Sequence, residues 1–440
     1  MQELPDYNQA LSTAFSVVSA LQPEEVKVER AAGRVLRDAV TADRDQPPFD
    51  RSAMDGFALR ADAWSAGKVF RVVGSVPAGG ALPTDLEIDP QRDVVRIATG
   101  AAVPAFAGGF DAVVPIEKAA VEENEHTTVV FEVDAVTAGM NIHRQGADAA
   151  TGSVVIASDT LLQPHHLGIA ASVGATTLKV SRPPRVVVLS SGDEVRPANT
   201  PTADLEPQQI RNSNGPMLVA LLKAMGCEVI RHEHVLDEAD AVHEACSRAA
   251  TEADLVVTAG GVSVGQRDWF PATWPQLGYE TVLHGVKMQP GKPVLVARPP
   301  RFSATDFTAN PAVAPAYSAA VVGLPGNPVS VLATAHLFVW PMVRKMLGLE
   351  LPLPWRRVGL ASPAKPNARR EAFRAARFVG ETREQVEVLP WQGSGDLSHT
   401  AAADGWVRLP VGDAELTPGV GLSFLPLLGG YADPSATRRV

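Results

Sequence analysis

Two cysteines stand in 440 residues, Cys227 and Cys246. That is too few for a disulfide framework, and no CxxC pair or zinc-finger spacing exists to hold a metal or run redox chemistry. No stretch approaches the ~18 to 20 consecutive apolar residues needed to cross a bilayer, and the first residues, MQELPDYNQALSTAF, lack the basic segment and apolar core of a secretory signal. A basic stripe is missing as well: the formal net charge is −10, the opposite of what a nucleic-acid backbone attracts. His165, His166, His232, His234 and His243 show no HExxH spacing and read as structural or surface residues. The expectation is a cytoplasmic chain with no membrane and no nucleic-acid partner, and any bound anion must be held by local chemistry.

The length is sufficient for more than one domain. Residues 6–21 carry a helical pattern, with Asp6 placed to cap it and Pro23 to stop it, and short β-like pieces follow around residues 26–40. From about residue 46 to 138 the texture changes to brief alternating runs such as VFRVVGSV and TTVVFEV, separated by Gly, Pro and Asp, as in a β-rich module. HHLGIAASVGA (165–175) returns to helical chemistry, so the β-rich module reads as an insertion between two halves of one domain.

Residues 185–338 are the most informative. RVVVLS is a strand, Asn214 is placed to cap a helix with Pro216 in its first turn and Gly226 at its end, and CEVIRHEHV is the next strand. Asp237 or Glu238 opens a second helix, which leads into DLVVTAGG. This β, α, β, α, β order predicts a doubly wound parallel sheet. Residues 299–319 are Pro-, Ala- and Ser-rich and read as a surface loop, residues 328–347 as a helix, and the last ~85 residues as a small β-barrel or β-sandwich.

Three strand ends share one device. DLVVTAGGVSVGQRD (254–268), RVVVLSSGDE (185–194) and AVVGLPGNPVS (320–330) each run from β-branched residues into a turn of small and polar ones. Gly260 and Gly261 let backbone N–H groups approach an oxyanion, Ser263 adds a hydroxyl donor, and Asp268 a carboxylate for a metal. Several such ends at one edge of a parallel sheet predict a phosphate-bearing ligand there. In SSGDE, Asp193 and Glu194 either hold Mg2+ beside phosphate oxygens or cap a helix. Lys287 and Lys292 flank a Pro-Gly turn, where they either neutralise an oxyanion or lie on the surface. In PPFDRSAMDGFA (47–58), Asp50 and Asp55 taken alone read first as turn residues, as do Thr99 in ATGAAVP and Asp148 in HRQGADAATG.

Taken together, AAGRVL, PFDRSAMDGFA, ATGAAVP, NIHRQGAD, SSGDE, NSN, AGGVSVGQRD, MQPGKP, GLPGNPVS and GSGDLS follow one another in an order that resembles the molybdopterin molybdenumtransferase family, the MoeA proteins and gephyrin E-domains. The resemblance covers nearly the whole chain. It implies an α/β multidomain fold: a molybdopterin-binding doubly wound parallel-sheet domain at 181–349, a β-rich inserted domain at 46–142, a C-terminal β-barrel domain at 350–440, and a discontinuous elongated α/β dimerisation domain at 1–45 and 143–180. It implies a homodimer, with a molybdopterin adenylyltransferase and apo-molybdoenzymes as further partners. It also implies a reaction in which adenylylated molybdopterin and molybdate combine, with Mg2+ present, to release AMP and leave the metal on the dithiolene.

Motif by motif, the resemblance assigns catalytic roles to Asp55, Thr99, Asp148, Asp237, Lys287 and Lys292, the first three lent to the cleft from the N-terminal domains, and metal contacts to Glu194 and Asp268. Gly260, Gly261, Ser263, Gly326, Asn327 and Ser330 would hold phosphate or pterin. Pro290 and Ser330, with Arg370 or Arg374 and with Ser394, would line the molybdate pocket, and Gln289 would donate hydrogen bonds to phosphate or molybdate. Many family members have lysine where this chain has Gly285 and Gln289, and commoner Asn and Tyr are replaced by Arg51 and Phe57. A non-catalytic pterin-binding or scaffolding paralogue is the reading those two lysine losses favour. Molybdopterin adenylylation, the preceding step, is what the α/β section alone allows, and the PFDRSAMDGFA module argues against it.

Overall fold

The structure, a computed structural model, describes residues 3–105, 109–262, 268–300, 317–349 and 353–428. The chain divides into two compact units, one of Met1–Glu24, Gly33–Arg37 and Val180–Val440, the other of Glu25–Ala32 and Asp38–Lys179. Most of the predicted 299–319 loop lies outside the described residues. No helix among the described residues is long and apolar enough to cross a membrane.

The larger unit is organised by a six-stranded sheet in the order Glu228–Val235, Arg185–Ser191, Leu255–Ala259, Ala320–Leu324, Leu295–Arg298, Glu280–His284. The first four strands are parallel, and Leu295–Arg298 pairs antiparallel with both Ala320–Leu324 and Glu280–His284. The central strands are buried along their length because helices cover both faces, which is why they read as unbroken β-branched runs rather than as alternations. One face packs against Leu218, Leu222 and Phe338, the other against Cys246, Phe270 and Trp274. Crossover helices Asn214–Ala224 and Ala239–Glu252 link the first three strands in sequence.

Several local expectations shift by a residue or a turn. The first helix spans only Tyr7–Phe15, opened by a capping box between Asp6 and Gln9. Tyr7 then turns inward against Phe338 and Phe373, with ring centroids 5.6 and 5.1 Å away. The cap before Asn214–Ala224 is Ser213, so Asn214 is the first helical residue rather than the cap, and its side chain is spent elsewhere. Glu238, not Asp237, occupies the cap before Ala239–Glu252. The predicted helix at 328–347 is present but changes winding: Pro328–Thr334 is α, Ala335–Val339 is a π turn and Trp340–Met346 is α again.

The C-terminal part closes a five-stranded barrel. Glu371–Val379 pairs with Gln385–Val388, then Arg356–Leu360, Gly421–Pro426 and Gly405–Leu409 follow, and the last pairs back on Glu371–Val379. Closure removes the free edges of a small sheet. Val358, Leu360, Phe378, Val407 and Phe424 fill its interior. The short strand Met288–Gln289 adds in parallel to Glu371 and Ala372, carrying a piece of the α/β domain onto the barrel.

In the second unit a six-stranded sheet runs Ala112–Pro115, Gly56–Leu59, Asp93–Ile97, Val69–Val76, Thr127–Phe131, Ala119–Glu123. Its strands alternate between two cores: Phe57, Leu59, Val94 and Val114 face one, and Ala58, Val95 and Val113 the other. Gly56 is obligatory here, since a Cβ would lie 2.0 Å from the Val114 carbonyl oxygen.

His336, inside the π turn, is 1% exposed. Its Nδ1 lies 2.8 Å from the Leu332 carbonyl and its Nε2 accepts from the Leu428 N–H at 3.2 Å, so the ring is neutral and fully used. Burial pushes its pKa from 6.5 down to about 4. The unfolded chain therefore binds this proton more readily, and the stability that neutral His336 contributes is complete above pH 6.5 and is lost as pH falls toward 4, by up to about 3 kcal/mol. Urea midpoints between pH 7.5 and 4.5 should fall less steeply for His336→Leu than for the unsubstituted protein; equal slopes would contradict this assignment.

Candidate functional site

The C-terminal ends of the parallel strands open into a cleft of about 400 Å3. Its walls are the turns that follow Ser191, Ala259 and Leu324, completed by Asn212, Ser213 and Asn214, by Asp237 and by Pro293. This is the crevice where open α/β sheets bind ligands. Gly260 and Gly261 have φ of +90° and +60°. A Cβ on Gly260 would sit 2.8 Å from the Ser191 carbonyl oxygen, and one on Gly326 would meet Gly260 Cα at 3.6 Å. Bare backbone at Gly260 is what lets its turn approach the one after Ser191. Ser263, expected as a donor in this wall, lies outside the described residues.

A hydrogen-bonded chain forms the cleft floor. The Gly215 N–H donates to Asn212 Oδ1 at 2.9 Å and Asn212 Nδ2 donates to Ser190 Oγ at 3.2 Å. Ser190 Oγ lies 3.1 Å from His234 Nδ1, whose Nε2 lies 3.2 Å from the Gly192 carbonyl oxygen. The chain ties the helix start at Asn214 to the turn that carries Glu194. Asn214 Nδ2 donates to the Gly326 carbonyl oxygen at 2.6 Å, while Asn214 Oδ1 is buried with no partner among the described residues. A buried acceptor at a cleft wall costs stability unless a ligand or water donates to it. Asn212 was legible only as a member of the NSN motif and Asn214 also as a helix cap, and their cleft roles depend on the turn geometry.

One wall is acidic. Glu194, Asp237 and Asp268 all line the cleft. No helix follows Glu194, which removes the capping alternative; the Asp193 and Asp237 N–H groups instead each donate to the other's carboxylate at 3.3 Å. Burial raises the Asp237 pKa, with the Asp193 and Glu194 charges adding to it, against hydrogen bonds from Ser191 and Asp193. Among the described residues no set of three or more His, Cys, Asp or Glu side chains is close enough to cage a metal by itself. An ion here would complete its shell from substrate oxygens and water, which is the habit of Mg2+. The donor set fits that ion.

Beside the cleft, Asn327 Nδ2 donates to Ser394 Oγ at 2.8 Å and the Val329 N–H to the Ser394 carbonyl at 3.0 Å, joining the GLPGNPVS turn to the GSGDLS segment. Ser330 is buried in the helix turn that follows. Arg374 is 9% exposed, and burial together with Arg370 lowers its pKa to about 10. Lys287 does not line the cleft: its Nζ pairs with Glu3 at 3.1 Å and its N–H donates to the Pro5 carbonyl. Lys292 is exposed, next to the cleft residue Pro293.

Asp55, Thr99 and Asp148 belong to the other unit, gathered around the short strand Arg51–Ser52. That strand pairs with Ile142–His143 on one side, and Ser52 exchanges backbone hydrogen bonds with the Gly100 and Ala101 turn. The Thr99 N–H donates to Asp55 Oδ1 at 2.9 Å, and this bond, then the Thr99 hydroxyl, hold the Asp55 pKa below its usual range. Asp148 Oδ1 lies 2.9 Å from His143 Nε2, and Arg51 is 3.8 Å from its other oxygen. All three residues are exposed.

Residues 6–174 match the MoeA N-terminal region (domain I and II), residues 187–345 a probable molybdopterin binding domain, and residues 357–427 the MoeA C-terminal region (domain IV). The molybdopterin molybdenumtransferase of Synechococcus elongatus is 34% identical over 94% of this chain and 97% of its own length. The chain belongs to the molybdopterin molybdenumtransferase family. The Bacillus subtilis molybdopterin molybdenumtransferase is 32% identical over 89% of this chain and 86% of its own length. A molybdopterin biosynthesis MoeA protein of Pyrococcus horikoshii superposes with a TM-score of 0.77 at 26% identity, covering 97% of this chain and all of that one. The α/β domain, mixed sheets and closed C-terminal barrel are thus those of the family.

The raised Asp237 pKa means its charge is less favourable folded than unfolded. Asp237→Asn should raise the Tm of the ligand-free protein at pH 7.5 by a few degrees, and the gain should vanish as pH is lowered far enough to protonate Asp237. A lower Tm at pH 7.5 would show the carboxylate to be structural.

Proposed function

We propose that this enzyme inserts molybdenum from molybdate into adenylylated molybdopterin and releases AMP. Its place in molybdenum cofactor biosynthesis follows from its family. The observation that carries the finer reading is the pairing, in one cleft, of an acidic wall with converging glycine turns and a buried acceptor without a partner. A pterin offers ring N–H donors to Asn214 Oδ1, and its phosphate suits the backbone N–H groups of the Gly260, Gly261 and Gly326 turns.

Glu194 and Asp268, with Asp237 beside them, would hold Mg2+. Bound there, the ion supplies neutralisation of the charge that develops on phosphate oxygens as AMP departs. The chain's own groups orient the two substrates: Asn212, Asn214 and Asn327 fix the pterin side, while Pro290, Ser330 and Ser394, with Arg370 or Arg374, receive the molybdate. Asp55, Thr99 and Asp148 act on the same substrates in a homodimer. No covalent nucleophile is needed, since the phosphoanhydride already carries a good leaving group and positioning supplies the rate.

Purified protein given adenylylated molybdopterin and Mg2+ should release AMP only when molybdate is added, and the product should reconstitute an apo-molybdoenzyme. Tight binding without release would instead favour the scaffolding role. Asp55→Ala should keep its fold and its pterin affinity and lose turnover by at least about a hundredfold; full turnover would exclude it. Asp268→Ala should shift the Mg2+ titration to concentrations about tenfold higher or more, and an unchanged titration would remove it from the metal site.

A further inference from the structure

His232 and His234, which sequence spacing leaves without a role, stand on the edge strand Glu228–Val235. In parallel register His232 pairs with Val188 and His234 with Ser190, so both rings lie on the sheet face that helix Asn214–Ala224 covers. His232 supplies fit: a Cβ on Gly215 would lie 2.2 Å from its Nε2, so the start of that helix is seated against the ring. His234 supplies direction.

The line of hydrogen bonds along the cleft floor ends in a backbone group on each side, and backbone groups cannot exchange roles. At one end the Gly192 carbonyl can only accept, so His234 Nε2 carries the hydrogen that it donates across 3.2 Å. At the other the Gly215 N–H can only donate, so Asn212 Oδ1 receives it at 2.9 Å and Asn212 Nδ2 is turned toward Ser190 Oγ at 3.2 Å. Ser190 is 2% exposed, and its hydroxyl has one contact left, His234 Nδ1 at 3.1 Å, with no third partner among the described residues. The hydroxyl therefore donates to Nδ1, and the ring is neutral with its hydrogen on Nε2. A second hydrogen, on Nδ1, would leave that of Ser190 buried without an acceptor.

The two ends of the line belong to different parts of the cleft. Gly192 has φ of +137°, and a Cβ there would lie 2.9 Å from Glu194 Oε2, so the peptide that His234 holds is the one against which the Glu194 carboxylate rests. Gly215 directly follows Asn214, whose Oδ1 is the buried acceptor of the opposite wall. Each ring nitrogen thus serves one side: Nε2 steadies the Glu194 turn, and Nδ1, through Ser190 and Asn212, steadies the helix start.

We propose that His234 is a positioning residue of the cleft, a neutral Nε2–H imidazole that orients the metal side at Glu194 with one nitrogen and the pterin side at Asn214 with the other. This rests on the assignment of Mg2+ and pterin to those sides made above.

The test separates the two nitrogens. His234→Asn puts an amide oxygen near the place of Nδ1 and offers nothing to Gly192, whereas His234→Gln puts an amide NH2 near the place of Nε2 and offers nothing to Ser190. Calorimetric titration of the purified full chain with Mn2+, standing in for Mg2+, and separately with molybdopterin reads both sides, and Tm is measured alongside. His234→Asn should weaken Mn2+ binding about tenfold and leave molybdopterin affinity within about twofold. His234→Gln should do the reverse, with molybdopterin affinity lower by about three- to tenfold, and Ser190→Ala should match it. Equal losses on both sides in the two variants, or no loss in either, would overturn the proposal, since a merely structural histidine gives no such split. Nitrogen-15 imidazole spectra at pH 7.5, with His234→Gln to identify the ring, should show hydrogen on Nε2 alone; hydrogen on Nδ1 would overturn it as well, and this readout holds if a variant fails to fold. If the unsubstituted protein binds neither Mn2+ nor molybdopterin, the proposed function fails and the positioning role with it, even where the spectra bear out the tautomer; binding with the expected split but without AMP release removes the transferase reading alone.

Discussion

The close approach of three backbone turns at the carboxyl edge of the parallel sheet is the constraint on which the rest of the larger unit depends. The turns after Ser191 and Ala259 can meet only because Gly260 lacks a Cβ and adopts a left-handed conformation, and the Gly326 turn packs against Gly260. Everything nearby is hung on that edge. The Asn212, Ser190 and His234 chain fixes the floor, the turn after Ser191 brings Glu194 beside Asp237, and the Gly326 turn accepts Asn214. A sheet buried on both faces gives those turns a rigid base.

Electrostatics in this unit are arranged at a cost to stability. Carboxylates of Asp193, Glu194 and Asp237 raise one another's energy, and Arg374 is buried beside Arg370 with a neutral amide as its acceptor. Packed cores elsewhere offset this: the sheet is covered on both sides, and the barrel interior is continuous from Val358 to Phe424. The acidic cleft wall and the buried Arg374 guanidinium at the barrel are what a substrate pair of phosphoanhydride, metal ion and oxyanion would neutralise.

Strong local signals survived folding best. The β-branched runs became the parallel strands, the Gly-rich ends became cleft walls, and PFDRSAMDGFA and ATGAAVP met around Arg51–Ser52. Misses cluster where a side chain had two uses. Asn214 has the chemistry of a cap and bonds Gly326 instead, and Lys287 has the charge for an oxyanion and pairs with Glu3, whereas Asp237 faces the cleft as its motif implied. Asn367 gave no signal at all, because its bonds run to residues two and three positions on and 78 positions away.

What the sequence by itself determined is the family, the order of strands and helices, and the residue types available at each turn, since these follow from period, glycine placement and ordered motifs. Only the tertiary structure decided which donor meets which acceptor. The tautomer of His234, the choice of Ser213 over Asn214 as cap and the neutrality of His336 each depend on atoms brought together from distant segments. Hydrogen-bond direction and burial are properties of that assembly, not of any local stretch of chain.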